Sequence, residues 1–535
     1  MVRSQWQKFR EYLYFNDELG IQVDVSRAGF PDTYFNDMKL RLQDMYHQIQ
    51  ALEEGAVANP DEQRMVGHYW LSDPELAPLP EIGAAIKDTL RRIRCFAQDI
   101  HTGTICGQKG RPFRNVIVVG IGGSSLGPRF VSEALGKKDD PCSLYFIDNT
   151  DPDGMDRIFA ELDAEPDAAL TIVISKSGGT VETRNGMEEV RHFYVSRGLD
   201  FSRHAVSITQ PGSGLDQIRM KEDWLDAFPV WEWVGGRTSV LSAVGLLPLA
   251  LQGIDISGLL DGAKKCNALT RNPDAKNNPA ALIALAWYVL TGGKGGQQMV
   301  ILPYKDRLEL FPKYLQQLIM ESLGKEKDLD GNIVHQGITV LGNKGTSDQH
   351  SYIQQLLDGP DNFFVTFIEV LKDRDGDSIK IAEESTSGDY LQAFLLGTRN
   401  ALSNKGRKSI TLTVRDLNPV TIGVLIALYE RTVSMYAQFV HINAYHQPAV
   451  EMAKKGAQEM IQLKNQALRV LRTCKTKGLT VEEIALKIEA DGAAVDREML
   501  YKILKHLEAN PGNKIKSQKS ISEFEALYQV VSDQQ

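Results

Sequence analysis

Residues 312–323 (P-K-Y-L-Q-Q-L-I-M-E-S-L) read as a helix stopped by Gly324, and two of its side chains could do chemistry together. Gln317 and Glu321 are four residues apart and so share one helix face. A carboxyl in the last turn of such a helix can move a proton, although a surface glutamate has the same local sequence. His350 follows T-S-D-Q (residues 346–349), which reads as a capping box with Thr346 as cap and Gln349 closing it. That places an imidazole, able to accept or donate a proton, in the first turn of a helix. Arg237 stands in G-G-R-T-S (residues 235–239). A guanidinium held in a tight glycine turn can stabilise an oxyanion, and equally can pair with a carboxylate.

A base, an imidazole and an oxyanion partner need something to hold the substrate. Residues 171–185 (T-I-V-I-S-K-S-G-G-T-V-E-T-R-N) supply a candidate. Four apolar or β-branched residues predict a buried strand, and Val181 onward predicts a helix. Between them Ser175, Lys176, Ser177, Gly178, Gly179 and Thr180 combine hydroxyls, a cation and glycines at a helix N-terminus. Open amides and the positive end of the helix dipole make this a phosphate-sized anion site. An ordinary strand-to-helix turn capped by Thr180 is the plainer alternative. A second glycine loop, G-I-G-G-S-S-L-G (residues 120–127), nearly matches the dinucleotide fingerprint, with Asp148 closing the next strand as a ribose-binding acid would. Its third glycine is a serine, Ser125, and two phosphate-type loops are met more economically by a small phosphorylated ligand.

The elements that must position these groups alternate. Strands are predicted at 116–119, 143–147, 170–174 and 205–208, and again at 298–302, 337–341 and 363–369, with helices such as 280–290 between them. The pattern predicts an α/β fold with two doubly wound parallel sheets, ligands lying beyond the C-terminal strand ends. Residues 1–110 are expected to form a helical N-terminal cover, 111–270 a first α/β domain with the phosphate-binding loop, and 271–455 a second with the catalytic residues. Residues 456–535 are expected to form a small helical C-terminal extension, with helices near 479–489 and 496–507 and a winged-helix-like order. From Leu471 onward it carries ten Lys/Arg and ten Asp/Glu, which argues for packing or oligomer contact over DNA binding.

Composition narrows the function classes. The 535 residues carry 60 Lys+Arg and 69 Asp+Glu, a net charge of -9, which gives no support for a nucleic-acid partner. Five scattered cysteines without a CxxC fit free thiols in a reducing compartment. No apolar run approaches the roughly 20 residues a bilayer needs, and the first ten residues lack a secretory h-region. A cytoplasmic protein with no membrane partner is expected.

Five blocks in this order and spacing resemble the phosphoglucose isomerase family: G-I-G-G-S-S-L-G-P (120–128), S-K-S-G-G-T (175–180), G-G-R-T-S (235–239), M-E-S-L-G-K (320–325) and Q-P-A-V-E-M-A-K (447–454). The resemblance spans roughly residues 55–455 and implies flavodoxin-like sugar-isomerase domains. It implies Glu321 as the base that carries a proton between C1 and C2 of an open-chain sugar phosphate, and Arg237 as the partner of the cis-enediolate. His350 and Lys454 would handle ring opening; without the resemblance, Lys454 beside Lys455 reads as a solvated helix face. Ser175, Lys176, Ser177 and Thr180 would hold the phosphate, Gly123 and Ser124 would close over the sugar, and Gln317 and Gln447 would complete the pocket. A homodimer in which His350 reaches the neighbouring subunit's site is also implied, with no metal and no redox cofactor. Thr238 stands where the family usually has an aromatic, and His446 where it often has Asp. The S-x-S-G-x-T form drifts towards isomerases that also accept mannose 6-phosphate, so a broader phosphoglucose/phosphomannose isomerase is the nearest rival. A non-catalytic sugar-phosphate sensor is a more distant one, since a sensor needs no proton-transfer group.

Overall fold

The computed structural model describes residues 4–531 except 475–477, 491, 493, 519 and 521, with 450–455 described as backbone alone. Two units are described separately, Met1–His446 and Gln447–Gln535.

In the first unit the segment expected to form a helical cover supplies, besides the short strands Val57–Asn59 and Arg64–Met65, β1 (Leu13–Asn16) and β2 (Ile21–Asp24). β1 and β2 are each four residues long, too short to show a helical period, and form an antiparallel hairpin. Helices Lys39–Glu53 and Pro80–Thr102 follow. Five parallel strands then build one sheet: β3 (Asn115–Val119), β4 (Ser143–Ile147), β5 (Ala169–Ser175), β6 (Ala205–Thr209) and β7 (Asp226–Pro229). Their spatial order is β4-β3-β5-β6-β7, a doubly wound arrangement in which the chain reverses direction between β3 and β5. Both glycine loops leave the C-terminal ends of these two central strands, which is where such a sheet opens a crevice.

A second sheet is built from β8 (Gln298–Pro303), β9 (Val340–Leu341), β10 (Phe363–Val370) and β11 (Ser409–Val414), mutually parallel in the order β11-β10-β8-β9. The N-terminal hairpin completes it, β2 pairing antiparallel with β11.

Strand alternation divides the core. Val116, Val118, Ile172 and Ile174 from the first sheet and Ile301, Phe364 and Ile410 from the second enter one continuous apolar cluster with helices Ala243–Gln252, Pro279–Thr291 and Pro419–Phe439. The intervening residues Ile117, Val119 and Val173 pack instead with Met155 and Val190, on helices across the opposite face. Val300, Val365 and Phe367 do the same with Leu356 and Leu395. A period of two thus buries both faces of each sheet. Among the described residues no helix is long and apolar enough to cross a membrane.

Helix Pro419–Phe439 is apolar almost all round yet buries Glu430 and Arg431. The Arg431 Nη2 donates to Glu53 Oε1 at 2.5 Å, and its guanidinium lies 3.8 Å from the Tyr69 ring centroid. Next to this group His68 is 2% exposed. Burial, reinforced by the Arg431 charge, brings its pKa down to about 3. Because the folded value lies below the ordinary one, the unfolded chain binds the proton first. The stability His68 contributes is complete above pH ~6.5 and is lost as the pH falls toward the folded value. Between pH 7 and pH 4 this group should remove about 3 kcal/mol. Urea unfolding at both pH values should show the wild type losing that much more than His68→Gln; equal losses would reject the assignment.

The second unit contains helices Pro448–Thr473, Val481–Ala490 and Arg497–Ala509 and, in addition to the expected helices, a hairpin of β12 (Ile515–Gln518) and β13 (Leu527–Val530). Leu479 bridges to Tyr528, so the order is helix, strand residue, two helices, hairpin, the order of a winged helix. Leu471, Ile484, Leu500, Leu504 and Tyr528 form its core. Arg497 pairs with Glu482 and Glu489, and Lys505 with Glu508 and Glu523.

Candidate active site

The anion turn begins where β5 ends. Thr180 occupies the N-cap position of helix Val181–Val195 without a side-chain cap hydrogen bond. Its hydroxyl accepts instead from Ser175 Oγ at 3.3 Å, so it does not compete for the amides of the first helical turn. Gly178 has φ +69° and packs so closely on the start of helix Gly214–Glu222 that a Cβ would fall 2.5 Å from the Leu215 amide nitrogen. Ser177 Oγ accepts from the Gly179 amide at 3.2 Å. Lys176 is engaged elsewhere than its sequence position implies: Nζ donates to the carbonyls of Glu232 and Val234, each at 2.8 Å. Burial, with help from Arg64, pulls its pKa down to about 8. An anion in the turn would therefore meet the backbone and field of Lys176 rather than an uncommitted ammonium.

The carbonyls held by Lys176 lead into residues 235–239, where a 3-10 turn (Gly236–Thr238) presents Arg237. Residues 120–127 lie against that turn. A Cβ on Gly123 would sit 2.0 Å from the Gly236 carbonyl oxygen, so only glycine allows the approach. Ser124 ends the 3-10 turn Gly122–Ser124 in the same loop. The following Ser125 donates its hydroxyl to Asp148 Oδ2 at 3.0 Å. Asp148 is thus bound to the loop itself, which removes the acid that the dinucleotide reading required.

Glu321 arises from a departure from the expected helix. Phe311–Leu315 is α-helical, but Gln316–Glu321 is a π-helical turn, a widened register often found at functional sites. Gln317 Nε2 donates to Glu321 Oε2 at 3.0 Å, and the same oxygen lies 3.6 Å from Arg237 Nε. The Arg237 side chain is only 4% exposed, and the Glu321 side chain 22%. Burial pulls the Arg237 pKa down and the Glu321 carboxylate opposes that pull. Arg237 Nη1 donates to the Ala444 carbonyl at 3.2 Å and Nη2 to the His446 carbonyl at 3.3 Å. A partly open carboxylate, oriented by an amide beside a buried guanidinium, can remove a C–H proton next to a carbonyl while the guanidinium steadies the resulting enediolate.

His350 is not bonded into this cluster: it is exposed, in the first turn of helix Gln349–Asp358, and no hydrogen bond or ion pair joins it to Arg237 or Glu321 among the described residues. The expected capping box does not form. Thr346 has φ +59°, and Asp348 takes the N-cap position. The Asp348 carboxylate instead accepts from the Asn343 amide at 2.8 Å and from the Tyr352 hydroxyl at 2.5 Å, which fixes the loop in another conformation. Gln447 stands at the N-cap position of helix Pro448–Thr473 in the second unit. The Lys454 side chain lies outside the described residues.

Two contributors escape the sequence. Lys325, buried beside Glu321, stands in M-E-S-L-G-K four residues after the carboxylate, and that spacing is its only signal. The carbonyls of Ala444 and His446 are backbone groups and leave no trace in residue type.

The family model described as phosphoglucose isomerase matches residues 34–404 and 395–479. A glucose-6-phosphate isomerase of Desulfitobacterium hafniense (strain DSM 10664 / DCB-2) is 61% identical over 511 residues, covering 96% of this chain and 95% of its own. That of Geotalea daltonii is 54% identical over 523 residues, covering 98% of each. Among solved structures, a glucose-6-phosphate isomerase from Chlamydia trachomatis superposes with a TM-score of 0.77 at 25% identity, covering 86% of this chain and 91% of that one.

Proposed function

The chain belongs to the phosphoglucose isomerase family and interconverts D-glucose 6-phosphate and D-fructose 6-phosphate, the step shared by glycolysis and gluconeogenesis; we propose that it does so through Glu321 and Arg237. The observation that carries the assignment is the Gln317–Glu321–Arg237 arrangement, with one carboxylate oxygen 3.0 Å from an amide donor and 3.6 Å from a buried guanidinium. Glu321 takes the proton from C2 of the open-chain aldose and returns it to C1, and the electron pair left on the carbons spreads onto the two oxygens as a cis-enediolate. Arg237 is charged before the reaction begins and is fixed by two backbone carbonyls, so its stabilisation of that anion requires no reorganisation. No electrons leave the substrate.

The turn containing Ser175, Lys176, Ser177 and Thr180 holds the phosphate, and Gly123 and Ser124 lie over the sugar beside the Arg237 turn. Gln317 lines the pocket beside Glu321, and His350 opens the ring. The exposure of His350 favours a homodimer in which it serves the neighbouring subunit. Free cysteines and the absence of a membrane-spanning helix among the described residues favour the cytoplasm.

A coupled assay of purified protein on glucose 6-phosphate and on mannose 6-phosphate, without added metal, tests the reading. Rapid turnover of glucose 6-phosphate alone is expected. No turnover of that sugar would sink the assignment, and comparable rates on both would favour the broader isomerase.

A further inference from the structure

Lys325 opens a short strand, Lys325–Lys327, immediately beyond the turn that carries Glu321, and it is 6% exposed. Its Nζ donates to the Glu321 carbonyl at 2.7 Å and to the His446 carbonyl at 3.1 Å. The His446 oxygen also accepts from Arg237 Nη2 at 3.3 Å. Arg237 in turn faces the Glu321 carboxylate. These contacts close a circuit: Glu321 backbone, Lys325, His446 carbonyl, Arg237, Glu321 side chain.

We propose that Lys325 is a positioning residue for the isomerisation, locking the end of the π-helical turn to the carbonyl that also fixes Arg237, and so setting the carboxylate against the guanidinium. The proposal rests on the roles given above to Glu321 and Arg237. Its physical basis is that the last carbonyls of a helix lack internal partners, and a widened turn has poorer hydrogen bonding than an α-helix. Left to the turn alone, the main chain at Glu321 would be free to shift. A lysine answers the carbonyl and carries the restraint across to a second segment.

Burial, with the Arg237 charge, brings the Lys325 pKa down to about 7, against the opposing pull of Glu321 and Asp61. The other titratable group beside it is His446, whose own pKa is lowered by burial and by Lys325. An ammonium has three N–H donors and the neutral amine two, so both forms can serve the two carbonyls. The clamp therefore survives titration through neutrality.

The test measures kcat and KM for glucose 6-phosphate in the wild type, in Lys325→Met, which keeps the volume, and in Lys325→Ala with and without added n-propylamine. Lys325→Met should lower kcat by about tenfold to a hundredfold with KM changed less than about twofold, the signature of a displaced reacting group. Lys325→Ala should regain turnover with n-propylamine and not with n-propanol. If Lys325→Met does not fold, the amine response of Lys325→Ala decides alone. A kcat for Lys325→Met within twofold of wild type, or a loss in Lys325→Ala that ignores the amine, would overturn the proposal. A wild type inactive on glucose 6-phosphate would instead indict the functional reading.

Discussion

Glu321→Gln should lower kcat by roughly three to four orders of magnitude while leaving the fold intact, because it removes a general base without removing a shape. The glutamine amide oxygen can still accept from Gln317 Nε2, which now donates to Glu321 Oε2 at 3.0 Å, and the side chain keeps its volume. What disappears is basicity towards carbon and the counter-charge of a buried arginine. A C–H proton beside a carbonyl is too weakly acidic for water to remove at a useful rate, so no neighbour can substitute. kcat and kcat/KM should fall together, since the lost interaction exists only in the transition state. The decisive measurement is exchange of the C2 proton of glucose 6-phosphate with deuterated solvent, followed by NMR. A variant that still exchanges at more than a tenth of the wild-type rate would show that another group is the base.

Mixed dimers give the second large effect. His350→Ala and Glu321→Gln should each be nearly inactive as homodimers. Co-expressed with different tags and purified as the heterodimer, they should recover about half the wild-type activity per dimer, because a two-fold interface brings both intact groups into one of the two sites. The expectation rests on the exposed position of His350 on helix Gln349–Asp358, where no hydrogen bond or ion pair joins it to Arg237 or Glu321 among the described residues. If each site used its own His350, the heterodimer would hold one site without a base and one without an imidazole, and no activity would return.

Much of the site could be read from spacing because its groups sit where local rules operate. The run T-I-V-I before S-K-S-G-G-T is a strand delivering a turn to a helix, and the structure extends the strand only to Ala169–Ser175. Gln317 and Glu321 share a face by their separation, and a hydrogen bond joins them. The π-helical register was not legible, because an apolar pattern of a few residues does not distinguish a widened turn from an α-turn. Thr346 shows the same limit at a loop: the motif was present, yet the Asp348 bonds to Asn343 and Tyr352 selected another conformation. Lys176 lies in the turn read as an anion site, while its ammonium is engaged by carbonyls more than fifty residues later in the chain. The hairpin β1–β2 is not legible for a related reason, since its pairing partner on the second sheet is the far end of the same unit.

That pairing bears on how the protein is made. Asp24 lies opposite Thr411, about 390 residues later in the order of synthesis. A ribosome adding roughly 5–20 residues per second needs on the order of 20 to 80 s to span that interval. The first sheet, whose strands run from Asn115 to Pro229, can assemble early in that period. The N-terminal hairpin must wait, with its edge unpaired and exposed to other chains, until β11 emerges. The hairpin is therefore vulnerable through that interval, and it is protected only when its partner strand arrives.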